Sequence, residues 1–301
     1  YIGTHTTVEL IEAGYDVVIV DNLSNSEMAA VEGVRKITGV NVPFEQVDCT
    51  DKEALGRVFD QYKFNSIIHF AASKAVGESV EKPLLYYRNN LQSLITILEL
   101  MRDKGVRNIV FSSSCTVYGQ PDVLPVTEQT PRQSATSPYG NTKQICEDIL
   151  RDTVHAYPEL FGIALRYFNP IGAHPSALIG ELPKGVPMNL VPFITQTAAG
   201  IRECLSVFGD DYDTPDGSAI RDYIDVNDLA RAHVVAVDRM VGGKSKSNYE
   251  YFNIGTGRGL SVLELIAEFE KATGVKLNYK IVGRRAGDIE KIWADTTYAN
   301  K

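Results

Sequence analysis

A tyrosine and a lysine stand four residues apart in Ser137-Pro138-Tyr139-Gly140-Asn141-Thr142-Lys143. On a helix that spacing puts a phenol and an ammonium on one face. A free tyrosine has a pKa of about 10, so service as a base near neutral pH requires lowering it by about 3 units, roughly 4 kcal/mol. One nearby cation supplies about 1 to 3 units. Lys143 alone is therefore marginal, and a second positive charge completes the shift. The same spacing arises on any solvated helix face, so the pair acquires meaning only from what the rest of the chain places around it.

The elements that must position such a pair follow from periodicity. After Gly3, apolar Val8, Leu10 and Ile11 fit one face of a helix that Gly14 ends. Tyr15 to Asp21 then reads as a buried strand finishing in an acid. Further strands are predicted over Val42 to Val47, Ser66 to Ala71, Arg107 to Phe111 and Gly162 to Phe168, with a long helix from Pro83 to Lys104. Apolar strands alternating with helices indicate an α/β fold, a Rossmann-type doubly wound parallel sheet covered on both faces. Ligands in such sheets bind beyond the carboxyl ends of the strands. Asp21, Asp48, Lys74, Ser114 and Phe168 fall there. An acid at the position of Asp21 hydrogen-bonds an adenosine ribose 2′-hydroxyl and repels a 2′-phosphate, which favours NAD over NADP. Asp21-Asn22 also reads as an ordinary strand-end turn. The oxidised nicotinamide ring of NAD would be the second positive charge beside Tyr139.

From Asn169 the texture changes to Pro170, Gly172, Pro175, Gly180, Pro183, Gly185 and Pro187, with short elements between loops. The chain accordingly divides into an NAD-binding domain over 1–170 and a smaller α+β substrate-binding domain over 171–301. Ile220 to Leu229 is the segment expected to return to the first domain, and Gly242 to Asn248 reads as an exposed loop. A Rossmann unit opens with a strand and its first glycines. The chain opens on Tyr1-Ile2-Gly3-Thr4-His5, so that strand and those glycines are expected to precede Tyr1.

The formal charge of -8, from 30 basic and 38 acidic residues, argues against nucleic acid or an anionic membrane as the main partner. A phosphorylated small molecule remains open, because a local arginine cluster decides that. Cys49, Cys115, Cys146 and Cys204 form no C-x-x-C pair, which suits inert thiols in a reducing, cytoplasmic setting. No apolar run reaches membrane-spanning length, and no signal peptide is expected. His69 and His174 stand alone, so no metal set is expected.

Six ordered motifs then become specific. They are Asp21-Asn22-Leu23-Ser24-Asn25-Ser26, Lys74-Ala75-Val76-Gly77-Glu78-Ser79, Ser112-Ser113-Ser114-Cys115-Thr116-Val117-Tyr118-Gly119, Ser137 to Lys143, Arg166 to Ser176, and Arg284-Arg285-Ala286-Gly287-Asp288. With them the chain resembles the UDP-glucose 4-epimerase family, within the extended short-chain dehydrogenases/reductases, over essentially its whole length. The resemblance implies tightly held NAD that is reduced and reoxidised within one turnover, interconverting UDP-galactose and UDP-glucose at C4 through a 4-keto intermediate. Departures are few. Phe70-Ala71-Ala72-Ser73-Lys74 replaces Phe-Ala-Gly-Leu-Lys, and Met188-Asn189-Leu190 replaces Asn-Asn-Leu.

On that resemblance Tyr139 is the catalytic base, Lys143 depresses its pKa and grips the nicotinamide ribose, and Ser114 hydrogen-bonds the reacting oxygen. NAD is expected against those three residues and against Tyr1, Ile2, Asp21 to Ser26, Asp48 and Cys49. It is also expected against Phe70, Ala71, Ala72, Ser73, Lys74, Asn89 and Phe168. The sugar nucleotide is expected to meet Lys74, Ser114, Tyr139, Asn169, Asn189, Leu190 and Ser206, with Phe208 beside the uracil. Arg221 and Arg285 suit its phosphates, because guanidinium forks match phosphate oxygens, and Asp288 suits ribose hydroxyls. Ile292 falls near the sugar's C2 substituent, where a stiff branched chain predicts preference for UDP-galactose over UDP-N-acetylgalactosamine. The alternative is that Ile292 only packs beneath Trp293. A homodimer through Pro83 to Lys104 and Tyr139 to His155 is also implied, as is further chain beyond Lys301.

Two rivals share these motifs. One is a nucleotide-sugar dehydratase or decarboxylase on the same fold; dehydratases carry an acid pair where Cys115-Thr116 follows Ser114 here, which disfavours that chemistry. A catalytically silent NAD-binding regulator would have no use for Ser114, Tyr139 and Lys143 together.

Overall fold

The computed structural model describes residues 1–301. The first part of the chain runs α1 (Ile2–Glu12), β1 (Ile19–Val20), α2 (Met28–Thr38), β2 (Phe44–Glu45), α3 (Lys52–Gln61) and β3 (Ser66–His69). It continues through α4 (Val76–Glu81), α5 (Pro83–Lys104), β4 (Asn108–Ser114), α6 (Pro138–Ala156) and β5 (Phe161–Tyr167). The remainder runs β6 (Asn169–Ile171), α7 (Leu190–Ala198), β7 (Leu205–Phe208), β8 (Ile220–Asp225), α8 (Val226–Val241) and β9 (Tyr249–Ile254). It ends with β10 (Gly259–Ser261), α9 (Val262–Thr273), β11 (Tyr279–Val282) and β12 (Lys291–Ile292).

The main sheet is parallel, in the order β3-β4-β5-β9, with Ser66 opposite Asn108, Asn108 opposite Phe161 and Gly162 opposite Tyr249. The period of two along β4 builds both faces of the core. Ile109 and Phe111 point into one cluster with Leu94, Met101, Leu150 and Leu160. Val110 points into the other, with Ile163, Leu165, Leu229, Val237 and Met240. Each fully buried aliphatic side chain contributes about 1.5 to 3 kcal/mol, so helices on both faces are held by one central strand.

The structure sets the extent of the expected strands. Within Tyr15 to Asp21 the ladder covers Ile19–Val20, and within Val42 to Val47 it covers Phe44–Glu45. These two pair with each other as a parallel ladder, Ile19 opposite Phe44 and Val20 opposite Glu45. The strand expected to stop at Phe111 runs on through Ser112-Ser113-Ser114, because β5 supplies partners as far as Tyr167. From the segment Ile220 to Leu229, Ile224 and Leu229 pack into the cluster with Val110 and Ile163 of the main sheet. β9 pairs with β5, and α8 packs on the face of β4 and β5. β8, in the same segment, pairs with β6, β10 and β12. Gly242 to Asn248 form the connection between α8 and β9. No helix is long and apolar enough to cross a membrane.

Candidate active site

Local sequence chemistry places α6. Ser137 caps it, accepting the Gly140 N–H at 3.1 Å, and Pro138 takes the first helical position where no N–H is needed. Tyr139 and Lys143 therefore sit in the first two turns of the helix. Further along, Leu150 packs against Gly162 of β5, where an added Cβ would meet the leucine Cδ1 at 2.9 Å. A side chain at that position would push α6 off the sheet.

Lys143 is 4 % exposed, and its Nζ donates to the Ser112 carbonyl oxygen at 2.6 Å. The same nitrogen lies 4.9 Å from the Phe111 ring centroid and 5.8 Å from that of Tyr139. Burial pulls the lysine down to about 8, while Cys146 and Glu147 pull it back up. Burial drives the Tyr139 phenol well above its ordinary value; Tyr167 adds to this, and a side-chain hydrogen bond with Ser114 opposes it. The chain by itself thus holds Tyr139 as a protonated phenol. Ser114 ends β4, is 7 % exposed, and its Oγ accepts the Thr116 N–H at 3.2 Å.

An open gap, or cleft, runs along β3, from Asn65 and Arg107 at the amino ends of the strands to Phe70–Lys74 at their carboxyl ends. Its lining includes Tyr1, the segment Asp21 to Ser26, Asp48, Cys49 and the segment Phe70 to Lys74, with Asn89. Asp21 Oδ1 accepts the Leu23 N–H at 2.7 Å and the Ser26 hydroxyl at 2.6 Å, which leaves Oδ2 unpartnered. Asn22 donates to Asp48 at 2.9 Å. Hydrogen bonds from Thr50, with that from Asn22, hold the Asp48 carboxyl below its usual range. Burial pushes the Cys49 thiol up to about 11, so it is inert. Asn90 clamps Ser73 from both sides, accepting its N–H at 2.8 Å and donating to its carbonyl at 3.0 Å. Asn89 donates to the Ser73 hydroxyl at 3.2 Å.

These residues fit a dinucleotide. The free oxygen of Asp21 suits ribose hydroxyls, and the start of α1, which has no side-chain cap and faces the cleft through Tyr1, Gly3 and Thr4, suits a pyrophosphate. A cation beside the raised phenol of Tyr139 would favour its ionised form.

A second cluster gathers the basic groups. Arg285 forms a fork on Asp288, at 2.7 and 3.1 Å, and Arg221 approaches the same carboxylate at 3.7 Å. The Arg285 guanidinium carbon lies 5.5 Å from the Phe208 ring centroid. Asn189 precedes the first turn of α7, which begins at Leu190, and its side-chain amide donates to Glu181. Asn169 opens β6 opposite Tyr223, and Ser206 lies in β7 opposite Lys280. Ile292 is 1 % exposed, opposite Arg221 across β12 and β8, in a core cluster with Cys115, Val117 and Phe168.

The cleft brings together most of the residues assigned to NAD, and from the sugar-nucleotide set Lys74, Asn189 and Arg285. Ile2, Ser114, Tyr139, Lys143 and Phe168 do not line it, and neither do Asn169, Leu190, Ser206, Phe208, Arg221, Asp288 and Ile292. Three further groups escaped sequence reasoning. Glu181 bonds both Lys74, at 3.2 Å, and Asn189. Lys184 donates to the Leu23 carbonyl at 2.9 Å. Both lie in a proline- and glycine-rich stretch with no periodicity to mark them. Thr116 Oγ1 is buried without a hydrogen-bond partner two residues after Ser114, and its place inside the Ser112 to Gly119 motif was the available signal.

The family model described as "NAD dependent epimerase/dehydratase family" matches residues 1–255. UDP-glucose 4-epimerase 2 of Arabidopsis thaliana is 51% identical over 304 residues, covering 100% of this chain and 86% of that protein. UDP-glucose 4-epimerase of Homo sapiens is 48% identical over 307 residues, covering 100% of this chain and 87% of that protein. The crystal structure of UDP-glucose 4-epimerase from Bifidobacterium longum in complex with NAD+ and UDP superposes with a TM-score of 0.97 at 48% identity. That match covers 100% of this chain and 88% of the other.

Proposed function

The chain belongs to the NAD dependent epimerase/dehydratase family, and from that premise we propose that it interconverts UDP-galactose and UDP-glucose by inverting C4 through a 4-keto intermediate. It is an isomerase, and its cofactor is NAD. The observation that carries the reading is that α6 seats Tyr139 and Lys143 against the end of β4, where Lys143 bonds the Ser112 carbonyl two residues before Ser114.

NAD, when bound, would supply a hydride acceptor regenerated within one turnover, so that no outside oxidant would be consumed. Tyr139 takes the proton of the C4 hydroxyl and gives it back. Ser114 donates a hydrogen bond to the reacting oxygen, holding it within reach of the phenol. Lys143 contributes the fixed positive charge that favours phenolate. Arg221 and Arg285 hold the diphosphate, and the Asp288 carboxylate, which bonds Arg285 and lies 3.7 Å from Arg221, gathers the two guanidinium groups at one place. Two copies pair through α5 and α6, a reading supported by exposed Leu84, Leu85 and Ile95 on α5. The four free cysteines support a reducing, cytoplasmic setting.

Incubating the protein with UDP-galactose without added NAD, then separating the sugars, tests the reading. A glucose and galactose mixture is expected, together with release of stoichiometric dinucleotide on denaturation. A 4-keto-6-deoxy or pentose product would make it a lyase, and no product at all a silent NAD-binding regulator.

A further inference from the structure

Behind the catalytic pair, α6 carries a third polar group in line with it. Tyr139, Lys143 and Glu147 follow at successive intervals of four residues, one stripe of the helix. Glu147 is 2 % exposed and Arg166, on β5, is 4 % exposed. The Glu147 carboxylate receives the Arg166 fork at 2.8 and 2.6 Å and the Ser113 hydroxyl at 2.5 Å. Arg166 lies directly opposite Ser113 of β4 on one side and Asn253 of β9 on the other. Its remaining arm donates to the Tyr118 hydroxyl at 3.1 Å, and its guanidinium carbon lies 4.3 Å from the Tyr251 ring centroid. The Tyr118 hydroxyl donates to Asn253 at 2.7 Å, and the Asn253 N–H donates to Glu128 at 2.8 Å. None of these groups takes part in the chemistry described above.

Burying two charges is costly, and apolar residues of similar volume often hold packed layers together as well or better. What the pair adds is direction, since a forked guanidinium–carboxylate contact accepts only a narrow geometry. Ser113 immediately precedes Ser114, and Glu147 sits two turns beyond Tyr139. One carboxylate therefore controls both the rotation of α6 and its sliding along β4.

Resting on the 4-epimerase reading, we propose that Glu147, held by Arg166 and bonded to Ser113, is a positioning residue that sets the Ser114, Tyr139 and Lys143 geometry for proton and hydride transfer. Catalytic groups displaced by about 1 Å lose about 100-fold in rate. The strand that carries Ser114 and the helix that carries Tyr139 are tied here, close to both.

The test is the double variant Glu147→Leu with Arg166→Met, which removes both charges and keeps the space filled. Its Tm should stay near or above that of the wild type, and UDP should bind with unchanged Kd. Its kcat for UDP-galactose should fall about tenfold or more with little change in KM. A folded double variant with wild-type kcat would overturn the proposal. Should that variant fail to fold, Ser113→Ala decides. It leaves the ion pair intact and cuts only the tie to β4, so a kcat loss of about fivefold with unchanged Tm and UDP affinity supports the proposal. Wild-type kcat in Ser113→Ala overturns it. Wild-type protein assayed alongside separates the two levels: failure to interconvert the sugars refutes the 4-epimerase reading, whereas turnover equalled by the variants refutes only the positioning role.

Discussion

The catalytic edge and the arginine cluster are built by different means. Ser114, Tyr139 and Lys143 come from one strand end and the first two turns of one helix. Their relation depends on a serine cap, a helical repeat and the packing of α6 on β4 and β5. Phe208, Arg221, Arg285 and Asp288 come from β7, β8 and the connection before β12. They meet because β8 pairs with β12 and β7 with β11, pairings between segments far apart in the chain. The first arrangement keeps its geometry as long as one helix stays seated. The second depends on long-range register, and Asp288 is the one acid that both guanidinium groups approach. On the function proposed above, chemistry falls to the locally determined region and substrate anchorage to the one assembled at a distance.

The largest expected effect breaks the comparison on its catalytic side. Tyr139→Phe removes the proton acceptor and keeps the ring, so turnover of UDP-galactose should fall about 100- to 10,000-fold with UDP affinity unchanged. A variant that lost UDP binding to the same degree would show the two regions to be a single unit.

Ile292→Ala probes the other side. With its side chain 1 % exposed among Cys115, Val117 and Phe168, truncation should cost about 2 to 5 kcal/mol in urea unfolding. The ratio of kcat/KM for UDP-galactose and UDP-N-acetylgalactosamine should not move. Gain of the N-acetylated substrate without loss of stability would place Ile292 in the sugar pocket instead.

The smallest effect sharpens the role of Lys143. Burial lowers it from 10.5 to about 8, so its ammonium fraction drops about tenfold between about pH 7 and about pH 9. Turnover should fall by a similar factor. Stability moves the other way. The unfolded lysine keeps its proton up to about 10.5, so between pH 8 and 10.5 the unfolded state binds more protons and this group's contribution to stability rises with pH. Parallel pH series of kcat and of thermal unfolding check both signs. A kcat that holds flat to pH 9 would remove the ammonium from the mechanism.

Legibility followed the range of the interactions. Helix α5 spans Pro83–Lys104 as its proline start and Gly105 end imply, with that glycine at φ 75. The extent of the first two strands is not legible locally, because a run of Val and Ile marks a buried strand but does not say where a neighbour will pair with it. The reach of β4 to Ser114 was underread for the same reason: three serines look like a turn until Leu165, Arg166 and Tyr167 lie beside them.

By itself the sequence determined the alternation of strands and helices, the acid at Asp21, and the placing of Tyr139 and Lys143 on one helix face. All of these are properties of neighbours within a few residues, where backbone geometry sets spacing. Only the tertiary structure decided that β9 rather than β8 joins the main sheet, and that Glu147 lands on Ser113 and Arg166. It also decided that Ile292 packs against the core and that burial raises the Tyr139 phenol. Each of these depends on which distant segment arrives alongside and how much water it excludes, and no local pattern of residues carries that information.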